Sequence, residues 1–256
     1  MKVSVVIANY NSSLYIQQCI DSLNSQTYKN LEIIFFDDNS SDNSLDIIKK
    51  FSNVKVIENK VQTKFGSINQ LNAFKKAVEI SDGDIIFLLD GDDYFKNEKI
   101  EKVVHYFQDN KKANIVFDYP IMVEGDKILN VRARNNIFKT YWPYIHPTSC
   151  ISIKRDCFNE LIKFISIKDF TDVWIDLRIC LFSKYILKEF HILNENLTFY
   201  RKTNSNISSN FVKFSKNWWK RRRQSHQFFQ KFAEDNKINF SKNFDFFLTK
   251  MICKFL

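Results

Sequence analysis

Short apolar runs alternate with stretches of helical periodicity through the first part of the chain, and few folds accommodate that alternation. The runs at 3–7, 31–36, 54–57 and 85–89 are rich in Val, Ile, Leu and Phe. The run at 3–7 reads as a strand buried on both faces, the signature of a parallel sheet, and the others read as further strands. Between them, apolar residues recur at helical spacing: Ile16, Cys19, Ile20 and Leu23; Leu45, Ile48 and Phe51; Ile68, Leu71, Phe74, Ala77 and Val78. Ile100, Val103, Val104 and Phe107 continue the pattern, and 114–117 reads as a fifth strand. Ser12 or Ser13 is expected to cap the first helix. Strand–helix alternation implies right-handed βαβ units, hence an α/β fold with a mostly parallel sheet. After residue 118 the alternation stops. Residues 119–131 read as a hairpin around Glu124-Gly125-Asp126, 156–165 and 172–187 as helices, and 190–200 as extended. From about 206 the pattern is helical, basic and aromatic.

Polar residues collect where strands end: Asn9-Tyr10-Asn11, Asp37-Asp38-Asn39-Ser40-Ser41-Asp42, and Asp90-Gly91-Asp92-Asp93. These are carboxyl ends, the edge on which open α/β sheets bind ligands. Three carboxylates within four residues repel one another unless a cation sits among them, and hard divalent cations with phosphate oxygens suit such a set. Gly91 permits close approach to the backbone. The bland alternative is a solvated acidic turn. For the 37–42 stretch it is an Asx-turn with a helix cap.

Several classes are disfavoured. With 4 glycines in 256 residues, no GxGxxG follows the first strand and no GKS or GKT occurs, which argues against nicotinamide and P-loop enzymes. Five cysteines, an odd number without CxxC, indicate neither a disulfide framework nor a zinc site, and reduced thiols in a cytoplasmic protein are expected. The N-terminus turns polar too soon for a signal peptide, and no run of apolar residues is long enough to span a bilayer. A phosphatase using paired aspartates would need an early nucleophile and a later activating lysine, and neither is evident.

VSVVIANYNSSLYI, LEIIFFDDNSSDNS, FGSINQLNAFKKA and IIFLLDGDDYF occur in that order. Together they resemble the family 2 glycosyltransferases of the GT-A fold, strongly over 1–118. The likeness is weaker to about 205 through TDVWIDLRI and ENLTFYRKTNSNIS. The resemblance implies a Rossmann-like GT-A catalytic domain over 1–205, with a nucleotide-sugar-binding half at 1–118 and an acceptor-binding half at 119–205. A helical basic extension would follow at 206–256. It implies transfer from a nucleoside-diphosphate sugar, commonly a UDP-sugar, to a glycan or lipid-linked acceptor with inversion, in surface polysaccharide synthesis.

Position by position, Ala8 and Tyr10 would border the nucleobase and Asp38 would bind it. Asn72 occupies the Asn of the family's Arg-Asn pair. Leu71 replaces the Arg, so Lys64 or Gln70 would have to supply the missing donor. Asp90-Gly91-Asp92 matches the DxD element, with Asp90 on the ribose or sugar and Asp92 as ligand of Mg²⁺ or Mn²⁺. Counting back from Leu177-Arg178 puts Thr171-Asp172 where the family has its acidic pair. That makes Asp172 the expected base, with Asp176 and Asp169 as rivals. His146-Pro147-Thr148-Ser149-Cys150 would lie near donor and acceptor. Trp142 and Trp174 could stack on a sugar, although core packing is the commoner use. Thr171 and Leu71 keep open a non-catalytic sugar-binding protein of the same fold.

Charge is unevenly spread. The net charge is +9, yet residues 201–256 hold 13 Lys/Arg against 3 Asp/Glu, so the first four-fifths is close to neutral. The aromatic-basic segment 212–234, with Trp218-Trp219-Lys220-Arg221-Arg222-Arg223, fits either peripheral contact with an anionic membrane or a helix docked on the core. Nucleic-acid binding gains no support from the neutral catalytic region.

Overall fold

The computed structural model describes residues 1–125, 127–129, 142–166, 169–203 and 212–256. The first half is β1 (Val3–Asn9), α1 (Ile16–Asn24), β2 (Leu31–Asp37), α2 (Ser44–Ile48), β3 (Val54–Glu58), α3 (Gly66–Glu79), β4 (Ile85–Asp90), β5 (Tyr94–Phe95) and α4 (Lys99–Asp109). There follow β6 (Ile115–Glu124), β7 (Lys127–Leu129), β8 (Ile151–Lys154), α5 (Arg155–Ile165), α6 (Ile175–Phe182), β9 (His191–Arg201), α7 (Lys216–Asp235) and α8 (Phe244–Ile252). The sheet runs β3-β2-β1-β4-β8-β6-β9-β5, with β7 paired to β6. Its first four strands are parallel. β8 enters antiparallel to both β4 and β6. β6 and β9 are parallel to each other.

β1, β2 and β4 are buried on both faces through most of their length, while β3, at the sheet edge, is only partly buried. Val6, Ile34, Phe36, Ile86 and Leu88 point toward α3, α5 and α6. Val5, Ile7, Ile33, Phe35, Phe87 and Leu89 point toward α1 and α4. The two-residue period of a strand thus builds two cores from one set of segments.

Two local expectations change. The first helix starts at Ile16 rather than just after the serines: Ser12 supplies only its carbonyl, to Tyr15 N and Ile16 N, and Ser13 N donates to Asp42. The 172–187 segment becomes helical only at Ile175 and widens to a π-turn over Ser183–Leu187. β5 and β8, of two and four residues, are further strands beyond those expected from the sequence. The far strand of the 119–131 hairpin, including Asp126, and the end of the ENLTFYRKTNSNIS block lie partly outside the described residues.

The tail helix α7 docks on the body. Phe228, Phe229 and Phe232 form a cluster with Val173 and Leu181, and Trp219 is buried. Most aromatic residues offered to a membrane by segment 212–234 therefore face protein. No described helix is long and apolar enough to cross a membrane.

Candidate active site

The ends of β1, β2 and β4 are tied into one edge. Asn9 Nδ2 donates to Asp37 Oδ1 at 2.8 Å, and Ser40 N donates to Asp37 Oδ2 at 2.9 Å. Asn11 and Asn39 take left-handed backbone (φ 52° and 57°), a conformation asparagine tolerates. The acidic stretch 37–42 divides its labour. Asp37 is fully buried and holds the turn, while Asp42 bonds Ser13 N and the start of α2. Asp38 accepts from Asn59 Nδ2 at 2.7 Å and Gln62 Nε2 at 3.0 Å and faces a cavity.

That cavity measures about 720 Å³. Ala8, Tyr10, Asp38, Asp90, Gly91 and Asp92 all line it. Asp38 and Asp92, from different βα crossings, thus share one cleft. Asn72 does not line it. On α3 the cavity face is Gly66, Asn69, Gln70 and Ala73, spaced i, i+3, i+4 and i+7, and Asn72 is rotated off that stripe. Gln70 Nε2 donates to Asp90 Oδ1 at 2.8 Å, and Lys64 is also on the wall.

The turn carrying Asp90-Gly91-Asp92 is fixed from behind. Gly91 N donates to Ala8 O at 2.9 Å and Asp90 N to Ser149 Oγ at 3.1 Å. Asp93 turns inward: Oδ2 accepts from Ser149 Oγ at 2.5 Å and Oδ1 from Arg201 N at 2.8 Å. The Arg201 guanidinium donates to Asp92 O at 2.9 Å and lies over the rings of Tyr15 and Tyr94. Deeper still, the fully buried Lys99 Nζ contacts Ser149 O and Thr198 Oγ1, each at 2.6 Å, and Asp118 Oδ2 at 2.8 Å. Breaking a buried pair of this kind strands the other charge, at about 3–5 kcal/mol.

A Cβ on Gly91 would stand 2.6 Å from Asn9 Oδ1. Gly91→Ala is therefore expected to displace the Asn9 amide and cost about 1–3 kcal/mol by overpacking. Urea unfolding measures it, and an unchanged midpoint would show that the turn yields freely.

Burial and the Asp92 charge push the Asp90 carboxyl up to about 7. Burial pushes Asp92 up to about 6, against the pull of Arg201. A carboxyl whose folded pKa is raised stabilises the fold fully below its unfolded pKa of about 3.9, and that contribution is lost as pH rises through the folded value. In chelator, Asp90→Asn is therefore expected to match wild type near pH 4 and to exceed its stability by a few kcal/mol, to order of magnitude, near pH 8. Thermal melts at both pH values test it, and a variant less stable than wild type near pH 8 would refute it.

Two partly buried carboxylates on a cavity wall fit a hard divalent cation that completes its shell with phosphate oxygens and water. Among the described residues no group of three or more His, Cys, Asp or Glu side chains stands ready to hold a metal. Asp93 is engaged elsewhere, so the pair Asp90 and Asp92 would need donor oxygens from a ligand.

Asp172 and Asp176 part company at the start of α6. Asp172 Oδ2 accepts from Gln224 Nε2 at 2.7 Å and Asp172 N donates to Gln224 Oε1 at 2.9 Å; the residue is not among those lining the cavity. Asp176 does line it, and burial raises its carboxyl while Arg221 pulls the other way. Asp169 is exposed and off the wall. Pro147 and Thr148 reach the cavity, but His146 is buried behind it with Nδ1 donating to Asp118 O at 2.8 Å. Trp174 lines the cavity, whereas Trp142 packs on His226 and Phe229.

Arg221 and Tyr200 are wall residues the sequence reading missed. The signal for Arg221 was present. Arg221, Gln224 and Phe228 share one face of α7 at i, i+3 and i+7, and Phe228 is core.

The family model described as glycosyl transferase family 2 matches residues 4–175. The chain belongs to glycosyl transferase family 2. An uncharacterized glycosyltransferase of Nostoc sp. is 28% identical over 218 residues, covering 78% of this chain and 65% of the relative. The Escherichia coli UDP-Glc:alpha-D-GlcNAc-diphosphoundecaprenol beta-1,3-glucosyltransferase WfaP is 38% identical over 117 residues, 46% of this chain and 44% of the relative. S. aureus TarS 1-349 in complex with UDP-GlcNAc shares the fold with a TM-score of 0.62 at 17% identity, over 89% of this chain and 66% of that one. This family 2 chain spans less than two thirds of the length of each of these three proteins. The fold is accordingly GT-A-like, a mixed α/β sheet with its parallel strands at the β1–β4 side.

Proposed function

We propose that the chain transfers a sugar from a nucleoside-diphosphate donor, a UDP-sugar, to a hydroxyl of a glycan or lipid-linked acceptor in surface polysaccharide synthesis, with inversion. One observation carries this reading: Asp38 from the end of β2 and Asp90 and Asp92 from the end of β4 line a single cavity of about 720 Å³. Membership of glycosyl transferase family 2 supports it, as do the nucleotide sugar in the TarS complex and the lipid diphosphate in the name of the Escherichia coli relative.

Tyr10, half exposed at the rim, offers a ring face to the base, and Asp38 accepts from its imide. Asp90 and Asp92 would hold Mg²⁺ or Mn²⁺ at the diphosphate. When bound, that cation would neutralise charge developing on the departing nucleoside diphosphate. Lys64 and Arg221 add positive charge on the wall, in place of the arginine that Leu71 replaces. Asp176 removes the proton from the acceptor hydroxyl; its raised pKa and its place on the wall favour it over Asp172. Trp174 supplies a flat face for a sugar ring.

The test is a panel of UDP-, GDP- and TDP-sugars with Mn²⁺ or Mg²⁺, read both by thermal shift and by nucleoside diphosphate release. A UDP-sugar at about 100 times its dissociation constant adds about 2.7 kcal/mol of stability. Cation-dependent stabilisation with release supports the enzyme. Stabilisation without release on any acceptor would leave a sugar-binding protein, and absence of both would reject the reading.

A further inference from the structure

The C-terminal helix α8 has two unlike sides. Phe246 and Thr249 are buried, and Asp245 bonds Arg222 and the Trp142 indole, so that side faces protein. On the other side Phe244, Phe247 and Met251 are 79%, 56% and 54% exposed, at i, i+3 and i+7. Phe255, 86% exposed, extends the same row one turn beyond the helix. A convex row of large apolar side chains so open to water marks a contact surface rather than ordinary surface composition.

The charge around the row is of one sign. Exposed Lys250 and Lys254 lie along its edge. Cys253 Sγ meets Trp219 O at 3.4 Å, which sets the end of α8 against the first turns of α7. Those turns expose Lys216, Lys220 and Arg223. Phe214, 62% exposed, packs on Trp218 and Trp219 and adds an apolar group beside them. The acidic residues of 212–256 are Asp245, held by Arg222, and Glu234 and Asp235 at the far end of α7.

We propose that this face, the outward side of α8 with the first turns of α7, docks on an anionic lipid bilayer. Rings and a methionine enter the headgroup boundary while the ammonium and guanidinium groups meet lipid phosphates. A second copy is a poor occupant, because like faces would oppose Lys220, Arg223, Lys250 and Lys254 to their own counterparts. A folded partner would need a shaped counterpart to a convex row; a bilayer does not. The surface is distinct from the aromatic core of 219–232, which is turned inward. The proposal stands apart from catalysis, because its readout is lipid binding.

Flotation of the full chain with phosphatidylglycerol–phosphatidylethanolamine vesicles, and with phosphatidylcholine vesicles as control, tests it. The wild type is expected to float with the anionic vesicles only, and less at raised salt. Phe247→Ser/Met251→Ser/Phe255→Ser and Lys250→Glu/Lys254→Glu should each lower the bound fraction about tenfold. Both should keep the wild-type melting temperature, since every altered side chain is exposed. No binding by the wild type, equal binding by the variants, or substitutions that instead abolish a concentration-dependent dimer would overturn the proposal. Flotation by a chain that binds no nucleotide sugar would leave it standing while rejecting the proposed activity.

Discussion

Asp92→Asn is expected to lower turnover about a hundredfold or more, the usual consequence of removing one preorganised charge contact at a developing anion. The substitution keeps the size of the side chain and the Asp92 carbonyl that Arg201 bonds. Folding should therefore survive. The loss should appear at saturating donor, and the thermal shift produced by UDP with Mn²⁺ should shrink with it. A variant that turns over at near-wild-type rates, or that keeps the full cation-dependent shift, would remove Asp92 from the metal site. Asp93→Asn is the informative companion. Its carboxylate holds Ser149 and Arg201 N behind the turn, so it should lose stability first and activity as a consequence.

The second large effect separates two aspartates four residues apart. Asp176→Asn is expected to reduce kcat by about 10²–10⁴-fold, the range for loss of a general base. It should also flatten the acid limb of the kcat/KM profile. Asp172→Asn should do much less. Its carboxylate accepts from Gln224, so the variant loses a contact between the segment ahead of α6 and helix α7, worth about 1–3 kcal/mol as a charged hydrogen bond. Gln224→Leu should mimic Asp172→Asn in melting temperature if that contact is its main role. The opposite pattern, with Asp172→Asn inactive and Asp176→Asn active, would return the base to the position given by counting back from Leu177-Arg178.

The parallel half of the fold was legible because β1, β2 and β4 are largely buried on both sides, and double burial admits few polar residues; the buried Ser4 is tolerated because its hydroxyl bonds Glu32 and Gly83 N. β8 was not, for the complementary reason. Ile151-Ser152-Ile153-Lys154 is four residues long, and its place between β4 and β6 is set by strands far away in sequence. The cavity edge could be read from Asp38 and Asp90-Gly91-Asp92, because strand ends and polar residues coincide there. The division among Asp37, Asp38 and Asp42 could not, since it depends on Asn9, Asn59 and Ser13 reaching them from other loops. The two candidate bases illustrate the same limit. Motif spacing fixes a position along the chain, whereas the direction a side chain takes at the start of α6 depends on a glutamine 52 residues later.

Arg221 stands on the cavity wall and Phe228, two turns later on the same helix, sits in the core. Trimming the polypeptide ahead of α7 to obtain a minimal soluble fragment would thus leave a floor of carboxylates without the guanidinium opposite and an oily scar where the phenylalanines had been. Any shortened form of the chain should keep that helix and carry its tag elsewhere.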